Sequence, residues 1–394
     1  MNREIILTRL PVGGHMPLAY VRMENGRALQ MELEPPEGEE RTGNIYVGKI
    51  EKLVPAMQAV FVRISPKQSG YLPLAKAKDP LIRAQRPGNE LKEQDELLVQ
   101  MEREAIKGKL PSLKTSLEFP GSLIVLLTDS QGIFFSPRLS AEQKERAGEW
   151  LKELRDGQEQ SFGILLRTNG GNASKEELTQ EFEKLYQEAF QVCRYGLTRS
   201  VYSCLRKSRP FWMELWEGLP KQEPARVITD EQEVFQALPN AEWYQEPLQP
   251  LYKKYSLENI LQNALERRVP LPSGGFLVIE QTEAFVAVDV NSGKRKGERL
   301  PDEFYYRVNE EAARETARQL RLRNLSGTIL IDFINMKDKG VTDRLLRELQ
   351  RRFLDDPVRT QAIDVTRLNI TEATRQKVRR ALWEQVMLWE QKDV

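Results

Sequence analysis

Phe285-Val286-Ala287-Val288-Asp289-Val290-Asn291-Ser292 and Thr328-Ile329-Leu330-Ile331-Asp332-Phe333-Ile334-Asn335-Met336 are apolar runs, each interrupted by one aspartate. Short runs rich in β-branched and aromatic residues read as strands. An aspartate in a buried strand is costly unless a counter-charge meets it. Two of them, on strands of the same character, suggest a shared cation. A hard cation such as Mg²⁺ takes one or two carboxylates and completes its shell with water and substrate phosphate. The pair therefore points to phosphate chemistry, and salt bridges to the chain's many arginines are the structural alternative. Asn291, two residues beyond Asp289, falls on the same side of an extended strand. Its amide has the reach to hold a water ligand or a phosphate oxygen.

Working outward, residues 302–323 read as a helix with Tyr305, Val308, Ala312, Ala313 and Leu320 on or near one face. Such a helix returns the chain so that the two aspartate strands can lie side by side. A further strand is expected at 276–279, and helices at 343–353 and 371–390. The turn Leu271-Pro272-Ser273-Gly274-Gly275 precedes this block. Gly-Gly there serves either a plain hairpin turn or a close backbone approach. Upstream, 256–267 reads as an amphipathic helix capped by Ser256. An α/β pattern runs from Gly121, with strands at 123–127 and 162–167 and helices at 141–156 and 174–192. Before it, short strands at 44–50, 57–64, 70–74 and 96–101 suggest a small barrel. Phe61 and Tyr71 fall in these strands, either as barrel core or as stacking platforms for the bases of a single strand. Residues 4–35 alternate as strands and end at a Pro/Glu/Gly break.

Composition narrows the chemistry. The chain has 394 residues, 40% hydrophobic and 30% charged, with a net charge of +1. No apolar run of about 18 residues suggests a membrane span, and the charged N-terminus does not read as a secretory signal. Cys193 and Cys204 form no CxxC pair, which argues against structural zinc and favours a reducing, cytoplasmic setting. His15 is the only histidine and follows Gly13-Gly14, so it reads as a surface turn residue. Paired-histidine catalysis is thereby excluded. Arginines bunch at 314, 318, 321 and 323, and again at 344, 347, 351 and 352. Such runs form either solvated helix faces or phosphate-tracking surfaces.

The segments 282–293 and 317–336, with the turn at 271–275, resemble the family of ribonucleases E and G in order and spacing. Asn44-Ile45-Tyr46-Val47-Gly48-Lys49-Ile50, Ala59-Val60-Phe61-Val62 and Gly70-Tyr71-Leu72-Pro73-Leu74 are similar to that family's S1 domain. The resemblance implies an α+β multidomain chain. A split RNase H-like subdomain would take 1–35 and 205–264, an S1 barrel of OB type 36–118, a 5′-sensor 119–204 and a DNase I-like nuclease subdomain 265–394. It implies an endoribonuclease of RNA processing and decay, cutting single-stranded, often AU-rich RNA to leave 5′-phosphate and 3′-hydroxyl ends. Substrates with a 5′-monophosphate would be preferred. Asp289 and Asp332 match the Mg²⁺ ligands, with Mn²⁺ as an alternative ion, and Asn291 matches the asparagine that orients water or the scissile phosphate. Gly121, Val125, Arg167, Thr168 and Arg359 match the 5′-phosphate pocket, and Phe61, Tyr71 and Lys107 match RNA contacts of the barrel.

The chain departs from the family at three places. No CPxC zinc-link follows the nuclease segment, so neither zinc nor zinc-mediated dimerisation is expected. Asn335 stands where an aspartate is usual, and 194–225 is unlike the common pattern. The rival readings are an S1-type RNA-binding protein with little activity and a metal enzyme acting on DNA.

Overall fold

A computed structural model describes residues 2–36, 41–84, 90–104, 110–217, 219, 225–238, 240–293, 302–336 and 338–391. The chain divides into two units, one made of residues 1–37 and 218–394 and the other of 38–217.

In the first unit, the two aspartate strands sit at the centre of a six-stranded sheet. Its order is Arg268–Pro270, Phe276–Gln281, Phe285–Asn291, Gly327–Asp332, Ile370–Arg375, Thr360–Val365. The two central strands run parallel, joined by the crossover helix Asp302–Leu322, and every other pairing is antiparallel. Alternation decides the faces. Val286, Val288, Val290, Ile329 and Ile331 point to one side, where Val308, Ala312, Ala313, Leu345 and Leu349 of two helices share their core. Each fully buried aliphatic side chain contributes roughly 1.5–3 kcal/mol. A one-residue slip would put Asp289 in that core and expel the valines, so the register is strongly specified.

The second sheet of this unit has the order Ala241–Trp243, Arg226–Thr229, Arg3–Arg9, Leu18–Glu24, Arg27–Leu33. Its first chain segment pairs in parallel with a strand from beyond the second unit, and the Thr229 hydroxyl donates to the Leu7 carbonyl 222 residues away.

Four expectations are corrected here. Residues 371–390 are not one helix: Ile370–Arg375 is a strand and only Leu382–Glu390 is helical. Thr371, Ala373 and Arg375 face inward, and Arg375 is buried against Asp356 at 2.8 Å. Tertiary pairing on both sides overrides the helix propensity of that stretch. Ser256 adopts φ +51° and makes no side-chain cap on the helix Leu257–Leu265. The arginine bunch 314–323 is not one solvated face: Arg314 is exposed, Arg318 and Arg321 are half-buried and Arg323 is buried. Arg318 donates to the Ala28 carbonyl and pairs with Glu315, while burial lowers the Arg323 guanidinium to about 10. His15 is half-buried, its ring 5.4 Å from that of Trp389.

The second unit contains a closed five-strand barrel. Ile45–Val54, Ala59–Ser65, Gln68–Pro73, Ser112–Lys114 and Glu96–Arg103 pair in a ring, the last returning to the first. Beside it lies a four-stranded sheet of order Ile133–Phe135, Gly163–Leu166, Ile124–Leu127, Glu118–Pro120. Two helices, Ala141–Asp156 and Lys175–Tyr195, pack on it. Both begin at capping boxes, Ser140 with Gln143 and Ser174 with Glu177, which satisfy amide donors that the first turn leaves open. Among the described residues, no helix is long and apolar enough to cross a membrane.

Candidate functional site

Asp289 and Asp332 are direct partners across the parallel pair of strands, on the face opposite the helices. Adjacent strands lie about 4.8 Å apart, so the carboxylates stand side by side at one level. Both are exposed. This corrects the premise that brought them to notice, because strand alternation lifts them out of the apolar layer and spares them the desolvation cost. Asn291 follows on the same face and donates from Nδ2 to Asp289 Oδ2 at 2.8 Å. Among the described residues, no group of three or more histidine, cysteine or acidic side chains gathers as a metal cage. Two carboxylates on an open face suit a cation that keeps most of its water and takes the rest of its shell from substrate.

Three further features hold this row. Asn309 of the crossover helix is fully buried. It donates to the Ile334 carbonyl at 2.8 Å and accepts from the Ile334 amide at 3.0 Å, pinning the chain two residues beyond Asp332. The turn at Gly274-Gly275 serves both purposes the sequence left open. Gly274 has φ +85°, and a Cβ on Gly275 would stand 2.6 Å from the Asn291 carbonyl. A basic group also lies on the open face: Arg268, level with Val278 and Asp289 across the sheet, stacks on Phe276 at 3.7 Å from the ring centroid. Asn335 accepts a hydrogen bond from Asn369 at 3.1 Å, within the same unit. Sequence reading missed Asn309 and Arg268. A polar residue on the apolar face of helix 302–323 was the available signal for the first, and nothing local marked the second.

In the second unit, Phe61 and Tyr71 are cross-strand partners of the barrel, 6.1 Å apart in edge-to-face geometry. Neither is in the barrel core, which is built from their neighbours Val60, Val62 and Leu72. Both are half-buried and continue a row with exposed Lys52 and with Ser112. Lys107 lies outside the described residues.

Gly121, Val125, Arg167 and Thr168 fall on the four-stranded sheet and its loops. Arg167 donates from its amide to the Leu123 carbonyl at 2.8 Å, and its guanidinium donates to the Gly121 carbonyl. The same guanidinium pairs with Glu217 at 2.9 Å. Val125, paired with Leu165, faces away from the core, and exposed Thr168 shares a 2.8 Å hydrogen bond with Ser136. Gly121 is dictated by a near neighbour, because a Cβ there would lie 2.3 Å from Glu181 Oε1. The Glu181 carboxylate accepts from the amides of Ser122, Leu123 and Ile124 at 2.6–3.0 Å. Arg359 is exposed in the other unit, immediately before the strand Thr360–Val365.

Comparison with known proteins fits this picture. Ribonuclease G of Escherichia coli K12 is 28% identical across 97% of this chain and 81% of its own length. Ribonuclease E of Synechocystis is 28% identical across 90% of this chain and 55% of its own length. The ribonuclease E of Haemophilus influenzae is 29% identical across 93% and 41%, respectively. Residues 118–378, which include both aspartate strands and the Arg167 sheet, match the model of the ribonuclease E/G family. The chain belongs to the ribonuclease E/G family.

Proposed function

We propose that this endoribonuclease cuts single-stranded RNA with the help of one divalent cation, Mg²⁺ or Mn²⁺, held by Asp289 and Asp332. The observation that carries the reading is the register match of these two aspartates on an open sheet face. A cation bound there would lower the pKa of a water and offset the charge that builds on the phosphate. The chain's own groups do the positioning. Asn291, anchored to Asp289, presents its amide beside the carboxylates, where it can orient the water or the scissile phosphate. Asn309 fixes the backbone beyond Asp332, and exposed Arg268 offers a guanidinium to a neighbouring phosphate.

The same reading assigns the units. The five-strand barrel is an S1 domain of OB type, on which Phe61 and Tyr71 stack bases. The four-stranded sheet is a 5′-sensor, in which Arg167 and Thr168 grip a terminal monophosphate with Gly121 and Val125. The sheet completed by residues 226–243 is the RNase H-like piece, and the aspartate sheet is the DNase I-like nuclease. A guanidinium fork with hydroxyl and backbone donors matches a terminal phosphate, and a 5′-triphosphate is harder to fit. AU-rich single strands of RNA processing and decay are the expected substrates.

The test is cleavage of a short AU-rich RNA, labelled at its 3′ end, with Mg²⁺. Internal cuts that leave 5′-phosphate ends and disappear in Asp289→Asn support the reading. Binding without cutting would make the chain an S1-type RNA-binding protein. Equal cutting of a DNA strand of the same sequence would move it to DNA.

A further inference from the structure

The Arg167 guanidinium already holds an anion that belongs to the chain. Glu217 ends the short helix Phe211–Glu217, and its side chain is 8% exposed. Its Oε2 accepts from Arg167 Nη1 and Arg209 Nη1, both at 2.9 Å. Its Oε1 accepts from Arg209 Nη2 and from the Ser122 hydroxyl, both at 2.7 Å. Two guanidinium groups and a hydroxyl around one oxyanion are the donor set expected of a phosphate seat. Burial alone would raise the Glu217 carboxyl. The hydrogen bonds from Arg209 and Ser122 and the charges of Arg209 and Arg167 outweigh it and hold the carboxyl below its ordinary range.

We propose that Glu217 is an internal competitor for the terminal phosphate, and so a specificity-determining residue of the 5′-end pocket. This rests on the sensor reading of Arg167. A 5′-monophosphate, with nearly two charges and three terminal oxygens, displaces the single carboxylate from Arg167 and Arg209. A 5′-hydroxyl end has nothing to offer either guanidinium and leaves Glu217 in place. Arg167 keeps 31% of its side chain exposed, which gives an incoming phosphate a line of approach. Arg209 also lines a cavity of about 350 Å³ with Lys114, Glu118 and Arg206, which gives its side chain room to adjust. The neighbouring amide nest does not compete for the same role, because Glu181 already fills it.

The experiment measures binding of 3′-dye-labelled RNA without divalent cation, so it is independent of cleavage. Oligonucleotides with a 5′-monophosphate or a 5′-hydroxyl are compared on the full chain, and inorganic phosphate is titrated as a competitor. Glu217→Gln is expected to raise the monophosphate-to-hydroxyl affinity ratio by about tenfold, the gain for a pocket that Glu217 leaves open about one-tenth of the time. Inorganic phosphate should compete more strongly by a similar factor. Adding Arg167→Ala should erase both gains. Glu217→Asp, which keeps the charge and shortens the reach, is read in the same way should the glutamine variant fail to fold. A ratio unchanged or lowered in the Glu217 variants, while Arg167→Ala lowers the wild-type ratio, makes Glu217 a structural counter-ion and overturns the proposal. A ratio that Arg167→Ala does not alter in any background removes the sensor reading itself.

Discussion

The molecule handles the charges of its two proposed sites in opposite ways. Asp289 and Asp332 are both exposed, and among the described residues their one side-chain hydrogen bond is from the Asn291 amide to Asp289. Arg167 and Arg209 are matched by the chain's own carboxylate at 2.7–2.9 Å. Exposure explains the difference. Carboxylates in water carry little desolvation penalty and can wait unpaired for a cation. Glu217 is buried beside the guanidinium groups, and leaving either sign alone there would cost several kcal/mol. A ligand of the open row adds to what is present, whereas a ligand of the closed cluster has to replace something. The first should therefore bind in proportion to its concentration, and the second should discriminate.

The sharpest way to break this contrast is at the open row. Asp332→Asn should lower kcat by about a thousandfold, several kcal/mol of charge stabilisation. An exposed carboxylate with no ion pair among the described residues adds little to stability, so the thermal midpoint should stay within about 3 °C. A large fall in the midpoint would show that the aspartate is structural.

Next in size is the support beneath that row. Asn309→Ala leaves the Ile334 amide and carbonyl without their partner, so a loss of about 2–3 kcal/mol is expected in urea unfolding. Because the same change frees the end of the Asp332 strand, kcat should fall more than KM rises. Asn309→Asp, which can still accept from the amide, should recover part of the stability.

On the barrel, Tyr71→Ala or Phe61→Ala should weaken single-strand binding by about 1–2 kcal/mol, the worth of one stacked base. The cleavage rate at saturating RNA should change little. An effect on folding instead of binding would return these rings to a structural role.

The smallest effect concerns a buried acid that belongs to neither cluster. Burial raises the Glu32 carboxyl, against the charge of Arg379 and hydrogen bonds from Gln385 and Gln30. A folded value above the unfolded one gives stability below the unfolded pKa, which is lost as pH rises through the folded value. Glu32→Gln should therefore raise the thermal midpoint at neutral pH and leave it nearly unchanged near pH 4. A rise of equal size at both pH values would contradict that account.

Much of this arrangement was legible in the sequence wherever one face of an element is apolar. The apolar runs marked both strands and drew notice to Asp289 and Asp332, and the two-residue alternation set Asn291 beside Asp289. The same alternation, followed one step further, would have put Asp289 in solvent, but the apolar run invited a buried reading. Thr371–Arg375 was illegible because its inward residues are threonine, alanine and a paired arginine, so no apolar stripe marks a strand. Glu217 carried no periodic sign, since Arg209 lies 8 residues away and Arg167 and Ser122 lie 50 and 95 residues away. Contacts of that range, between polar side chains, leave no periodicity to read.

The central claim is that the aspartate row is the cation seat of this ribonuclease. Its most direct test is a Mn²⁺ titration of the full chain, followed by water-proton relaxation and repeated with the Asp289→Asn/Asp332→Asn double variant. One Mn²⁺ seat in the wild type, displaced by Mg²⁺ and absent from the folded double variant, is the expected result. An unchanged seat in the double variant, or none in the wild type even with single-stranded RNA bound, would contradict it.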